Sequence, residues 1–240
     1  MASPVLLFDL DGTVIDVNSF PIWVKELLLA RVGHLGIAGR LSVATRAAAA
    51  LAVRKLLRQS HARFKRRVQR IWSTVEAAAP AGHAADALVE RLARHVRPNL
   101  GILLGEVVRG DFDAVLTTAA AAEYAVPLAR RLGFHHVVAT PAGGGADAAD
   151  NVGAMKRDRT LAYLRAQGWA ARPRILFTDH ADDLPLIHEC GALIWFGTAA
   201  ECAAIARQEP AKPTIAALAL SPVAVRGCVD TILPVTTEVG

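Results

Sequence analysis

Two aspartates stand two residues apart in Phe8-Asp9-Leu10-Asp11-Gly12-Thr13, where an apolar run gives way to a turn. At strand spacing both side chains point the same way. One carboxylate can then attack an electrophile while the other, protonated, serves the leaving group, a division that paired acids support when their surroundings separate their pKa values. An Asp-x-Asp-Gly stretch can also be a plain turn, but acids that end a buried apolar strand are costly without a purpose. A second acid cluster, Asp179, Asp182 and Asp183, follows the apolar Ile175-Leu176-Phe177. Three carboxylates in five residues repel one another unless a cation sits among them, and hard oxygen donors suit Mg²⁺ that keeps several waters. Asp182 or Asp183 can at the same time cap a helix that starts at Leu184.

Elements must bring these acids together. Residues 4–10 read as a buried parallel strand delivering its C-terminal end to a loop, and similar runs recur at 114–116, 136–139, 174–177 and 192–196. Helical patterns lie between them at 123–132, 156–167, 184–189 and 200–207. The alternation predicts an α/β fold, a Rossmann-like parallel sheet with helices on both faces. Residues 17–97 break the pattern: they lack β-branched runs and are rich in Ala, Leu and Arg at helical spacing. The expected organisation is a core of residues 1–16 and 98–240 with an inserted all-helical cap of residues 17–97. In the cap, Phe64, Val68, Ile71, Trp72 and Val75 form an apolar stripe, with Arg63, Arg66, Arg67 and Arg70 on the other side. Another helix is expected from Asp86 to Val96, residues 143–150 read as a flexible loop, and the Pro-interrupted segment after Glu209 is left unassigned.

With 53% hydrophobic and 20% charged residues, the chain of 240 residues is too apolar for a disordered protein. Cys190, Cys202 and Cys228 form no C-x-x-C pair, which argues against a disulfide framework or a structural zinc site. No apolar run is long enough to span a bilayer, so a cytoplasmic protein is expected. The net charge of +5 is unevenly divided: residues 17–97 carry fifteen Lys/Arg against four Asp/Glu, or +11, and the remainder carries −6. A basic module attracts phosphate, anionic lipid or nucleic acid. The cluster Arg54, Lys55, Arg58, Arg63, Lys65, Arg66, Arg67 and Arg70 is either a solvated helix face or a selector of polyanionic substrates. Aromatic residues are sparse there, which gives base stacking little support and makes nucleic acid an unlikely partner.

The order of motifs resembles the haloacid dehalogenase superfamily in its phosphatase form, over about residues 6–196. Asp9-Leu10-Asp11-Gly12-Thr13 is similar to the family's opening DxDGT, which implies Asp9 as nucleophile and Asp11 as general acid/base. Members that cleave carbon–halogen bonds lack the second acid, so dehalogenation is not implied. The family's next motif is a Ser or Thr that holds a phosphate oxygen at a strand end. Counting back from Tyr124 and Pro127 favours Thr118, with Thr117 in reserve. The third motif, a Lys that offsets phosphate and carboxylate charge, falls on Lys156, with Arg157 and Arg159 as rivals. The fourth, GDxxxD or SDxxxD, falls on Asp179 and Asp183, so the resemblance implies Mg²⁺ associated with Asp9, Asp11, Asp179 and Asp183. His180 stands where many members have a small residue.

The helical insertion looks like the cap of the phosphoserine-phosphatase-like branch. Val17-Asn18-Ser19-Phe20 stands where phosphoserine-specific members carry a Glu, so that specificity is not implied. The expected activity is Mg²⁺-dependent hydrolysis of a small phosphorylated metabolite through an aspartyl-phosphate. The alternatives are a phosphotransferase or mutase using the same nucleophile, or a binding protein whose basic cap docks on nucleic acid or an anionic membrane.

Overall fold

Six short strands form one parallel sheet in the order β3-β2-β1-β4-β5-β6. They are β1 (Val5–Phe8), β2 (Asp113–Ala121), β3 (His136–Thr140), β4 (Arg174–Thr178), β5 (Ala192–Trp195) and β6 (Thr214–Ala216). The computed structural model describes residues 3–32, 34–80, 83–143 and 149–232. Most of the loop expected at 143–150 and the end of the tail at 233–240 lie outside them. Central β1 sets Phe8 beside Leu116 of β2 and Phe177 of β4. Chain growth reverses at this point, where open α/β sheets bind ligands at the strand C-termini.

Between β1 and β2 the chain forms α1 (Ser19–Leu28), α2 (Ile37–Leu56), α3 (His61–Glu76) and α4 (Asp86–Ala93), followed by α5 (Gly101–Arg109). The α3 stripe is buried as its spacing requires, with Phe64, Val68, Ile71, Trp72 and Val75 at most 3% exposed. These helices have no hydrophobic core of their own, because one continuous cluster runs from Val43, Phe64 and Trp72 through Trp23 to Phe8 and Phe177. Trp23 of α1 is the joint. Its ring lies 5.6 Å from Trp72 and 5.0 Å from Tyr124 of α6 (Ala122–Arg131), and edge contacts of this kind add to simple area burial.

The remaining helices are α7 (Ala154–Ala166), α8 (Leu184–Ile187), α9 (Ala199–Gln208) and α10 (Pro222–Ile232). Strand parity sorts the two faces. Leu6 and Phe8 of β1 join the larger cluster with α5, α6 and α10, whereas Val5 and Leu7 join a smaller one with Leu164 of α7, Leu186 of α8 and Ile205 of α9. The segment without a sequence assignment supplies β6 and α10, and Val225, Val229 and Ile232 of α10 complete the larger cluster. β6 has only three residues and follows Pro213, too little pattern for periodicity to register.

Candidate active site

Asp9 is the first residue beyond β1, and its backbone N–H still donates to the Phe177 carbonyl at 2.9 Å. Strand parity turns its side chain toward α7, whose first turn carries Lys156. The Lys156 Nζ donates to Asp9 Oδ1 at 2.8 Å and to Asp183 Oδ2 at 2.7 Å. Thr178, the last residue of β4, donates its hydroxyl to the same Asp183 oxygen at 2.6 Å. All of these groups are buried, so one ammonium is shared by two carboxylates away from water. Breaking one arm of such a set is costly, because the remaining charges stay buried without compensation. The rival cations are engaged elsewhere: Arg157 pairs with Asp158 and Arg159 donates to the Ala149 carbonyl.

Asp11 faces different neighbours. It accepts the Ser19 N–H at 2.9 Å and the Ser19 hydroxyl at 3.0 Å, at the first residue of α1, where the helix dipole favours an acid. The Ser19 hydroxyl also bonds the buried Tyr124 hydroxyl at 2.8 Å. Asp179 accepts from the Thr13 hydroxyl at 3.3 Å. Gly12, at φ +73°, passes so close to Asp179 that a Cβ there would lie 1.9 Å from its Oδ2. The turn therefore needs glycine both for its left-handed backbone and for the space it leaves to that carboxylate.

These acids line a cavity of about 370 Å³ together with Asn18, Ala119, Asn151 and Lys156. Burial pushes the Asp9 carboxyl up to about 7 against the opposing pull of Lys156, and Asp183 on the same ammonium pushes the same way. Burial also raises Asp11, over the opposing Ser19 bonds, and raises Asp179. For Lys156 burial works downward, but Asp9 and Asp183 outweigh it and hold the ammonium above the ordinary lysine range.

The two threonines of β2 part company. Thr117 shares a hydrogen bond of 2.7 Å with Thr160 of α7, which engages its hydroxyl, and it does not line the cavity. Thr118 points to the opposite face and its hydroxyl accepts from the Ala120 N–H at 3.0 Å, while the residue of this strand end that lines the cavity is Ala119. The pairing of β2 with β3 shifts register between Thr117 and Ala121. That irregularity frees the Ala119 carbonyl from the ladder, and it accepts the Lys65 ammonium and the Thr140 hydroxyl instead.

Lys65 corrects the sequence expectation. It does not belong to the solvated basic face of α3: it is 3% exposed, donates to Ala119 and Thr140, and pairs with Asp150 at 3.5 Å. One turn further along α3, Gln69 donates to Glu123 and to the Pro141 carbonyl. The α3 face that meets the sheet edge is thus Lys65 and Gln69. Arg63, Arg66, Arg67 and Arg70 line none of this cavity. His180 and Asp182 stand at the cavity edge, both half or more exposed, and their side chains lie 3.5 Å apart. The sequence reading missed Ser19, Thr13 and Thr178, whose roles depend on partners far away in the chain or on a turn that only the fold defines.

Among the described residues, no three His, Cys, Asp or Glu side chains make a ready-made metal cage. Mg²⁺ does not need one, because it is held by one or two carboxylates and keeps its waters. Asp9 and Asp179 fit that requirement. Asp9 Oδ2 takes no hydrogen bond from the described residues, and Gly12 leaves the Asp179 carboxylate the room it occupies. Asp11 has both oxygens on Ser19, and Asp183 is committed to Lys156 and Thr178.

Residues 6–188 match the sequence family of haloacid dehalogenase-like hydrolases. The chain belongs to that family. No curated protein matches it in sequence. Among solved structures, this hydrolase is similar to a protein with unknown function from Bordetella pertussis Tohama I, with a TM-score of 0.63 and 18% identity over 90% of this chain and 99% of that one. It is also similar to a probable phosphoserine phosphatase from Vibrio cholerae, in unliganded form, with a TM-score of 0.57 and 14% identity over 98% of this chain and 67% of that one. At these identities the likeness is one of fold: a parallel sheet with an inserted helical layer.

Proposed function

We propose that this hydrolase is a Mg²⁺-dependent phosphatase that cleaves a small phosphomonoester through an aspartyl-phosphate on Asp9. The observation that carries the reading is Lys156, a buried ammonium held 2.8 Å from Asp9 and 2.7 Å from Asp183 at the wall of the cavity that Asp11 and Asp179 share. It keeps a positive charge, already oriented, where a phosphoryl group brings negative charge. When bound by Asp9 and Asp179, Mg²⁺ supplies further positive charge to the phosphoryl oxygens. Asp9 attacks phosphorus with one carboxylate oxygen, the other being left to the metal. Asp11, whose carboxyl burial raises and Ser19 orients, gives its proton to the leaving alkoxide. As a carboxylate it then takes a proton from the water that opens the aspartyl-phosphate. The motif order, not the cavity lining, assigns the phosphate hydroxyl to Thr118, whose neighbour Ala119 lines the cavity and whose own proton is free to donate.

Residues 17–97 act as the cap on a core of residues 1–16 and 98–240, with Lys65 and Gln69 as its ties to the sheet edge. A cavity of about 370 Å³ suits a small phosphorylated metabolite. Release of inorganic phosphate from a small aryl phosphate is expected with Mg²⁺ and not with EDTA, and Asp9→Asn lowers it by about a thousandfold or more. Turnover that survives EDTA or Asp9→Asn overturns the reading. Phosphate found on a second hydroxyl of the substrate, instead of in solution, assigns a mutase.

A further inference from the structure

The turn from α2 into α3 carries Leu56 and Leu57, which are 81% and 69% exposed. Exposed leucines are unremarkable one at a time, but two in succession at a tip are not. Ile37 and Leu41, at the other end of α2, are also exposed but do not belong to the tip. The tip is a built turn: Leu57 N–H donates to the Val53 carbonyl and Gln59 N–H to the Arg54 carbonyl, with Arg58 between them at φ +45°. That is the left-handed closing position where glycine is usual, so an arginine side chain is held there at a backbone cost.

Around the leucines the charge has one sign. Lys55 and Arg58 flank them, and Arg63, Arg66, Arg67 and Arg70 line a cleft of about 290 Å³ with Gln59. Arg46 joins Arg67 and Arg70 in an adjoining cleft between α2 and α3. No carboxylate among the described residues pairs with Arg63, Arg66 or Arg67, and the sequence has no acid between Glu26 and Glu76.

We propose that this tip docks the protein on an anionic lipid surface, with Leu56 and Leu57 entering the acyl boundary and the surrounding arginines meeting lipid phosphates. The combination of apolar tip and basic surround is that of an interfacial element, and each basic side chain near such a surface adds to binding. A soluble polyphosphate gives the leucines no role. Nucleic acid favours stacking aromatics, whereas the exposed large side chains here are aliphatic. Another copy of the same face meets it with like charge. No helix of the described residues is long and apolar enough to cross a membrane, so the contact is with the surface.

The test uses the full chain and vesicles of phosphatidylcholine with or without phosphatidylserine. Co-sedimentation is expected with the anionic vesicles only, at about 0.1 M salt, and is lost near 1 M, where the Debye length falls from about 10 to about 3 Å. The pair Leu56→Ser/Leu57→Ser and the triple Arg63→Gln/Arg66→Gln/Arg67→Gln each lower the bound fraction about tenfold or more. Should either variant melt early, Leu57→Trp gives a second readout, a blue-shifted emission with anionic vesicles and none with neutral ones. Several results overturn the proposal: no binding at 0.1 M salt, binding undiminished in the leucine pair (charge attraction alone), single-stranded RNA bound as tightly as the vesicles, or lipid-free self-association abolished by the leucine pair.

Discussion

Asp9 shares a buried ammonium with Asp183, whereas Asp11, two residues on, sits at the start of a helix on a serine. Different environments on the same residue type are what the proposed nucleophile and proton carrier require. These contacts carry two predictions at the scale of single residues. Gly12→Ala forces a Cβ to 1.9 Å from Asp179 Oδ2 at a left-handed backbone position, so either the turn or the carboxylate must move. The expected result is a loss of Mg²⁺-dependent turnover of about a hundredfold or more, since a displacement near 1 Å at reacting groups costs that much. Thr118→Ala should lower kcat/KM about tenfold or more and cost about 1 kcal/mol in urea unfolding, because it leaves the buried Ala120 N–H without its acceptor. Thr117→Val should spare turnover but cost about 1 kcal/mol in urea unfolding, because it breaks the buried pair with Thr160. The reverse pattern in the two variants would exchange their roles.

At the scale of elements, α3 is attached to the sheet edge by a lysine. Lys65 donates to a carbonyl that the β2 irregularity leaves without a strand partner, and it pairs with Asp150. Lys65→Met keeps the apolar stem and removes the charge, leaving Asp150 without its cation and the Ala119 carbonyl with the Thr140 hydroxyl alone. It should cost about 2–4 kcal/mol, with faster hydrogen exchange along α3 than along β1. Equal protection of α3 in the variant and the native chain would show that the stripe of Phe64, Val68 and Trp72 alone holds the helix. Arg58→Gly makes the opposite prediction. It relieves the φ of +45° at the end of α2 and should stabilise the protein by about 1 kcal/mol, read as a higher Tm.

For the whole molecule, the acids that meet at the strand ends are costly to keep together without a cation. Mg²⁺ should therefore raise the Tm of EDTA-treated protein. At a hundredfold excess over Kd the gain is about 2.7 kcal/mol, or roughly 5–10 °C for a chain of this size. Asp179→Asn should remove most of that rise, and an equal rise in the variant would exclude Asp179 as a ligand. The charge division seen along the chain also has a spatial form. Of the fifteen Lys/Arg in residues 17–97, Arg46, Arg63, Arg66, Arg67 and Arg70 line the outer clefts, while Asp9, Asp11, Asp179 and Asp183 line the cavity at the strand ends. The basic clefts and the acidic cavity thus have no lining residue in common.

Local pattern was enough to read five of the six strands, the helical insertion, the α3 stripe and the family motifs, because each depends on residue types at fixed short spacing. Tertiary structure decided what spacing leaves open. Thr117 and Thr118 differ by one residue, but a strand sends successive side chains to opposite faces, and only the position of α7 gives the Thr117 hydroxyl its partner, Thr160. Lys65 resembles its basic neighbours in sequence, and its angle on α3 turns it alone to the gap where Ala119 lacks a strand partner. Ser19, which holds Asp11, is itself bonded to Tyr124 by a contact that joins residues 105 apart, which no local signal encodes. The short β6 and α10 have weak patterns of their own and exist because the sheet edge and the apolar face beside it are there to be covered.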